Sequence, residues 1–148
     1  MKKIIVLALC SIFTFTTSGC NKSKDSDFEI RLTTDRYVYK ISDEILISST
    51  IEYIGDKKNL LIWHADPAIT FIITDGKALN IGSTVSDILM STKINKNEKQ
   101  YYYFKENSND LQLPIGKYTI ISKAEFSLSK NSDSKINLLC ELDIVVEE

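Results

Sequence analysis

Histidine is almost missing from these 148 residues; His64 is the only one. A zinc centre draws three or four ligands from His, Cys and carboxylates, and no second imidazole exists to join His64. That residue stands in Trp63-His64-Ala65-Asp66-Pro67, where a strand ends. A His beside an Asp is the pair a general base would use, yet no serine sits in a nucleophile-elbow context. A structural or loop role is expected, with a hydrolase using His64 as the remaining enzymatic alternative. The oxygen-rich segments Asp75-Gly76 and Asn107-Ser108-Asn109-Asp110 lack the regular ligand spacing of a calcium loop and read as turns. The formal net charge is −2 with no clustered basic face, which argues against nucleic acid as a partner. No cofactor or metal is expected. Beyond the first residues, no apolar run approaches the roughly 20 residues a membrane-spanning helix needs.

What is present begins at the N-terminus. Met1-Lys2-Lys3 leads into the mostly apolar run Ile4–Phe15, a short basic region and then an apolar one, as in a secretory signal. Small residues follow, and Thr17-Ser18-Gly19-Cys20 resembles the lipobox of bacterial lipoproteins. The resemblance implies cleavage before Cys20, a diacylglycerol on its sulfur and a further acyl chain on its new amine. At about 0.8 kcal/mol per buried methylene, one chain binds marginally and two hold firmly. The expected organisation is a signal peptide over residues 1–19, a lipidated Cys and flexible tether over 20–27, and a single domain over 28–148. The expected location is the extracytoplasmic side of a cell membrane. Lys2 and Lys3 would leave with the signal, taking the formal charge from −2 to about −4. With Cys20 carrying lipid, no disulfide can form within the domain, so Cys140 reads as a buried small hydrophobe and the fold must rest on its core.

From Phe28 onward the apolar pattern has a period of two, which marks half-buried strands. Phe28, Ile30 and Leu32 share one face, as do Ile45, Ile47, Ile51 and Tyr53. Tyr118, Ile120, Ala124, Phe126 and Leu128 form another set, and Ile136, Leu138, Cys140, Leu142, Ile144 and Val146 a fourth. Shorter runs at Leu60–Trp63, Ile69–Thr74 and Gln100–Phe104 lie between turn signals. Seven or eight strands spaced in this way, with no convincing helix, predict an all-β, immunoglobulin-like antiparallel β-sandwich. Val85–Met90 is read as at most one helical turn. In Leu113-Pro114-Ile115-Gly116-Lys117-Tyr118, Tyr118 is placed to form a tyrosine corner, with Gly116 permitting a tight approach.

Four segments in order carry a further resemblance: Ile45–Tyr53, Phe71-Ile72-Ile73-Thr74-Asp75-Gly76, Tyr101-Tyr102-Tyr103-Phe104 and Pro114-Ile115-Gly116-Lys117-Tyr118. Together they resemble the BsuPI family, named for an intracellular proteinase inhibitor with an immunoglobulin-like fold. The resemblance implies that fold and, as an alternative function, protease inhibition through an exposed loop, with Asn80–Lys93 and Asn107–Gly116 the segments to consider. The leading expectation is a non-catalytic binding module of the cell envelope. Its partners would be the membrane, through the lipid anchor, and an envelope protein or protease. Alternation puts one pair of the Tyr101–Phe104 aromatics in the core and one outside, where amphipathic rings serve as binding anchors. Tyr101, Tyr102, Tyr103 and Trp63 are the candidate binding surface.

The anchor is tested at its attachment point. Cys20→Ala should leave an uncleaved or soluble protein, and phase partitioning into detergent as strong as wild type would refute lipidation.

Overall fold

The computed structural model describes residues 27–108 and 110–148. Cys20 and all of the expected tether except Asp27 lie outside the described residues. Period-two alternation yields nine strands: β1 (Phe28–Thr34), β2 (Val38–Lys40), β3 (Glu44–Tyr53), β4 (Asn59–Thr74), β5 (Asn80–Gly82), β6 (Ser86–Asn95), β7 (Lys99–Asn107), β8 (Gly116–Ser127) and β9 (Ile136–Glu147). One sheet runs β1-β3-β7 and the other β2-β9-β8-β4-β5, with β6 lying along the first half of β4. Neighbouring strands are antiparallel except β2, which runs parallel to the end of β9. The two sheets pack face to face as an immunoglobulin-like β-sandwich, as the alternation predicts.

The core lies between the sheets. Ile45, Ile47, Ile51 and Tyr53 of β3 face Tyr118, Ile120, Ala124 and Phe126 of β8 and the inward residues of β9, all buried. Rings cross the interface at Phe28–Phe126, with centroids 4.8 Å apart, and at Phe71–Phe104, at 5.9 Å. Each fully buried large side chain stabilises by about 1.5–3 kcal/mol. Cys140 belongs to this core at 2% exposure.

Two hydroxyls interrupt the apolar series at facing positions. Ser49 of β3 and Ser122 of β8 are fully buried and lie 2.6 Å apart, joining the sheets. Ser49 Oγ donates to the Arg31 carbonyl at 3.0 Å, so the Ser122 hydroxyl donates to Ser49. Each group is then satisfied in a dry interior, where an unmet polar group costs about 1–3 kcal/mol.

The tyrosine corner forms as expected: the Tyr118 hydroxyl donates to the Pro114 carbonyl at 2.5 Å. Gly116 is not what permits it. A Cβ there would meet the Tyr118 ring no closer than 3.7 Å, an ordinary contact. Gly55 is the crowded glycine, because a Cβ would lie 2.6 Å from Asp27 and 2.5 Å from the Tyr53 hydroxyl.

Other expectations need correction. Seven strands are seven residues or longer, but two three-residue strands, β2 and β5, raise the number to nine. Leu60–Trp63 and Ile69–Thr74 are parts of the single strand β4, with the cis Asp66–Pro67 bond inside it. Val85–Met90 is not a helical turn; from Ser86 onward it is β6, paired with β4. Its apolar residues gave no alternation because this first half of β6, an edge strand, is exposed on both faces as far as Met90; only Ile94, later in the strand, is buried. Leu128 falls just past the end of β8 and is 53% exposed.

Ser49→Ala should lower unfolding free energy by about 1–3 kcal/mol, because it strands both the Arg31 carbonyl and the Ser122 hydroxyl. Adding Ser122→Ala removes one of those stranded groups and should restore part of the loss in chemical denaturation. A double variant that loses the full sum of the two singles would refute a coupled pair.

Candidate functional site

Strand β4 changes its inward face partway along. Leu60, Ile62 and His64 point inward in its first half, whereas Ile69, Phe71 and Ile73 do so in its second. Between them, residues 65–68 stand opposite the single residue Glu125 of β8. On the other edge, residues 87–89 of β6 stand opposite the single residue Ala65. A proline lacks the N–H that a regular ladder needs, so Pro67 is tolerated at such an irregularity. The backbone departs from the sheet on both sides at this point, and a cleft of about 440 Å³ opens on the sheet's outer side.

The cleft has an aromatic floor and an apolar lip. Trp63 and Pro67 line it from β4, and Val85, Ile88 and Leu89 from the β6 side. Val85, Ile88, Leu89 and Met90 are exposed at 46, 62, 50 and 43%. Single exposed apolar residues are ordinary, but Val85, Ile88 and Leu89 line one cleft together, as at an interaction site. Met90 pairs with inward-facing His64 and lies outside the cleft. The opposite wall is charged. Glu125 accepts from Lys123 at 3.1 Å and from Lys135 at 2.5 Å, and these bonds hold its carboxyl below the usual carboxylate range despite some burial. The Lys130 ammonium sits 5.7 Å above the Trp63 ring, within cation–π range.

His64 lies under the cleft at 7% exposure. Its Nδ1 bonds the Ala65 carbonyl at 2.6 Å, and its Nε2 bonds Thr92 Oγ1 at 2.8 Å. A carbonyl only accepts, so Nδ1 carries the proton and Nε2 accepts from Thr92. Both ring nitrogens are engaged with their own strand or with β6, in keeping with the structural role expected. Among the described residues, no group of three or more His, Cys, Asp or Glu is placed to hold a metal.

The candidate aromatics divide among three places. Tyr101 and Tyr103 lie on the outer face of the three-stranded sheet, 56 and 68% exposed, with near-parallel rings 6.3 Å apart. Tyr102 points the other way and packs against the core. Burial pushes its hydroxyl pKa up, aided by the charge of Asp66. It therefore cannot share a surface with its neighbours. Trp63 belongs to the other sheet, in the cleft. Reading the sequence missed Val85, Ile88, Leu89 and Met90; an apolar run without either period was the signal for them.

The segments considered for an inhibitory loop are largely ordered by pairing. Asn80–Lys93 contains β5 and most of β6. In the connection from β7 to β8, Ser108 is buried and bonds the Ile41 carbonyl, and Leu113 is buried. Ile115 projects from it at 55% exposure. The Asp75-Gly76 turn forms as expected: the Asp75 carboxylate accepts from the backbone N–H groups of Lys77 at 2.8 Å and Leu79 at 3.0 Å. Those bonds lower its pKa, and Gly76 takes the left-handed conformation with φ 73°.

No protein-family model matches the chain, and no curated protein matches it. Solved structures do. Spo0M, a sporulation control protein from Bacillus subtilis, is 13% identical with a TM-score of 0.54, over 83% of this chain and 50% of that one. The CARDB domain of a Pyrococcus furiosus protein, solved in complex with di-metal ions, is 11% identical with a TM-score of 0.51, over 82% of this chain and 88% of that one. A β-glucosidase from Erythrobacter marinus is 15% identical with a TM-score of 0.49, over 81% of this chain and 15% of that one. This chain thus spans half of the Spo0M chain and about a seventh of the glucosidase. At these identities the likeness to Spo0M and the CARDB domain shows fold alone. The class it defines is an immunoglobulin-like β-sandwich, and nothing in these likenesses is positive evidence of an enzyme.

Replacing His64 by Ala should remove a buried ring and strand the Thr92 and Ala65 groups, costing about 2–4 kcal/mol of unfolding free energy. Wild-type stability in that variant, by thermal or urea unfolding, would show that the ring is not structural.

Proposed function

We propose that this chain is a membrane-anchored cell-envelope lipoprotein whose domain is a non-catalytic binding module. It holds an apolar, extended segment of a partner protein along β6 and over the cleft. The observation that carries this reading is the exposed set Val85, Ile88 and Leu89 lining the cleft beside Trp63. Strand β6 pairs with β4 on one side, and no strand among the described residues covers its other edge. An uncovered edge strand presents backbone donors and acceptors to an incoming strand. Pockets beside that edge then select its side chains, and Trp63 with the Lys130 ammonium above it supplies an amphipathic anchor of the kind that dominates interfaces.

Protease inhibition, the function that the BsuPI resemblance implies, is the second reading. Its support is Ile115, which projects from a connection pinned on both sides by buried residues. An inhibitor needs such a rigid, exposed tip.

One experiment in intact cells separates the two. A photo-crosslinking residue at Ile88 should trap a specific envelope protein, and Leu89→Asp should reduce that adduct at least tenfold, a loss of about 1.4 kcal/mol or more. An equivalent probe at Ile115 should trap nothing. A protease captured at Ile115 with no adduct at Ile88 would transfer the assignment to the inhibitor reading.

A further inference from the structure

The strands give the molecule two distinct ends. Phe28 at the start of β1 lies opposite Tyr53 at the end of β3, and Ser127 at the end of β8 lies opposite Trp63 near the start of β4. The chain therefore enters the domain at the end formed by the β3–β4, β6–β7 and β8–β9 turns. Its entry point is held there: the Ile54 N–H donates to the Asp27 carbonyl at 2.7 Å, and Asp27 packs so closely over Gly55 that no Cβ would fit.

Charge differs between the ends. The entry end carries Lys57, Lys58, Lys96, Lys99, Lys130 and Lys135, all exposed, against exposed Asp27, Asp56, Glu98 and Asp133 and half-buried Glu29 and Glu52. Lys96 and Lys135 have partners, at Asp56 and Glu125 respectively. The opposite end reverses the sign: Asp35, Asp43, Glu44, Asp75, Glu106, Asp110, Glu147 and Glu148 outnumber Arg36, Lys40, Lys77, Lys105 and Lys117. Exposed Leu128 adds an apolar side chain at the entry end.

Distance then decides which end meets a membrane. Seven residues from Cys20 to Asp27 reach at most about 25 Å when fully extended. Strands β8 and β9 have twelve residues each, which is about 40 Å. A lipid on Cys20 therefore brings the entry end to the bilayer and leaves the far end out of reach. We propose that the end bounded by the β3–β4, β6–β7 and β8–β9 turns is a docking face for an anionic lipid surface, with the acidic end directed away from it. The proposal rests on the reading of Cys20 as lipidated. Lysines near a surface of anionic lipid are attracted to it, and the attraction dies within a Debye length. Docking in this way would stand the strands upright on the membrane and turn the open edge of β6 sideways, toward partners in the same envelope layer.

The sole tryptophan reports on this face, because Trp63 is paired with Ser127 at the last position of β8. The full chain, purified from membranes in detergent, is reconstituted into vesicles of neutral phosphatidylcholine or of that lipid with about 30% phosphatidylglycerol. Quenching of Trp63 by headgroup-level quencher lipids is then measured. It should be about twofold greater in the anionic vesicles, and the excess should vanish near 1 M salt, where the Debye length is about 3 Å. Lys57→Glu with Lys58→Glu and Lys99→Glu should abolish the excess, whereas Lys77→Glu at the far end should preserve it. Protein that floats with the vesicles but is quenched equally in both overturns the docking face and leaves the anchor standing. Protein that does not float with either vesicle overturns the anchor, and this orientation with it.

Discussion

Between His64 and Ile69, four residues of β4 stand opposite one residue of β8, and much of the molecule's shape follows from that mismatch. A strand alternates with a period of two, so a change in the parity of its inward residues requires a local departure from the ladder. The departure occurs around Pro67, the one residue in the segment that cannot donate to a neighbour. Before it, β4 is bordered by β6; after it, by β5. The gap between those partners is where the cleft opens, and His64 closes its floor by tying the irregular Ala65 carbonyl to Thr92 of β6. The His64 ring is thus part of the device that holds the strand together where its backbone pairing lapses.

The sandwich around this break is held by apolar burial together with a few satisfied polar groups, and no disulfide is present among the described residues. The Ser49–Ser122 pair joins the sheets at their centre. At the far end, the Tyr39 hydroxyl donates to Asp35 at 2.6 Å and contacts Thr34 Oγ1, while the Arg36 guanidinium lies 5.5 Å above its ring. Burial, with the bond to Asp35, pushes the Tyr39 pKa up to about 12. Burial alone would raise the Asp35 pKa, but the bonds from Tyr39 and Arg36 outweigh it and hold it low. These contacts fasten the short strand β2 beside the end of β9, where only three residue pairs hold it. Polar groups in such positions define which packing is reached, because any other arrangement would leave one of them unmet.

The two proposed docking surfaces would suit different partners for physical reasons. The β6 edge is apolar, with open backbone groups, so it favours an extended polypeptide, to which it can add hydrogen bonds as well as buried area. The entry end is polar and cationic, with one projecting leucine, so it favours a charged interface that remains wet. Their positions are compatible. With strands upright on a membrane, the cleft beside the β8–β9 turn would lie near the bilayer yet open to the side.

How much of this was legible beforehand depended on how regular each segment is. Strict alternation in β1, β3, β8 and β9 specified strands, inward faces and the burial of Cys140, because a half-buried strand needs nothing beyond its own sequence to show its period. The tyrosine corner was legible for the same reason, as a local contact between Tyr118 and Pro114. Leu128 was misassigned because alternation cannot say where a strand stops. The first half of edge strand β6 was misread because both of its faces are exposed there and no period survives. The cleft could not be foreseen at all: it joins Trp63, Leu89 and Lys130, which are brought together only by pairing β4 with β6 and β8. The sequence by itself determined the sandwich, its core faces and the expectation of a lipid at Cys20, all of which rest on local pattern. Only the tertiary structure decided which apolar residues stay uncovered and which end gathers the lysines, because both depend on strand order and register across long separations.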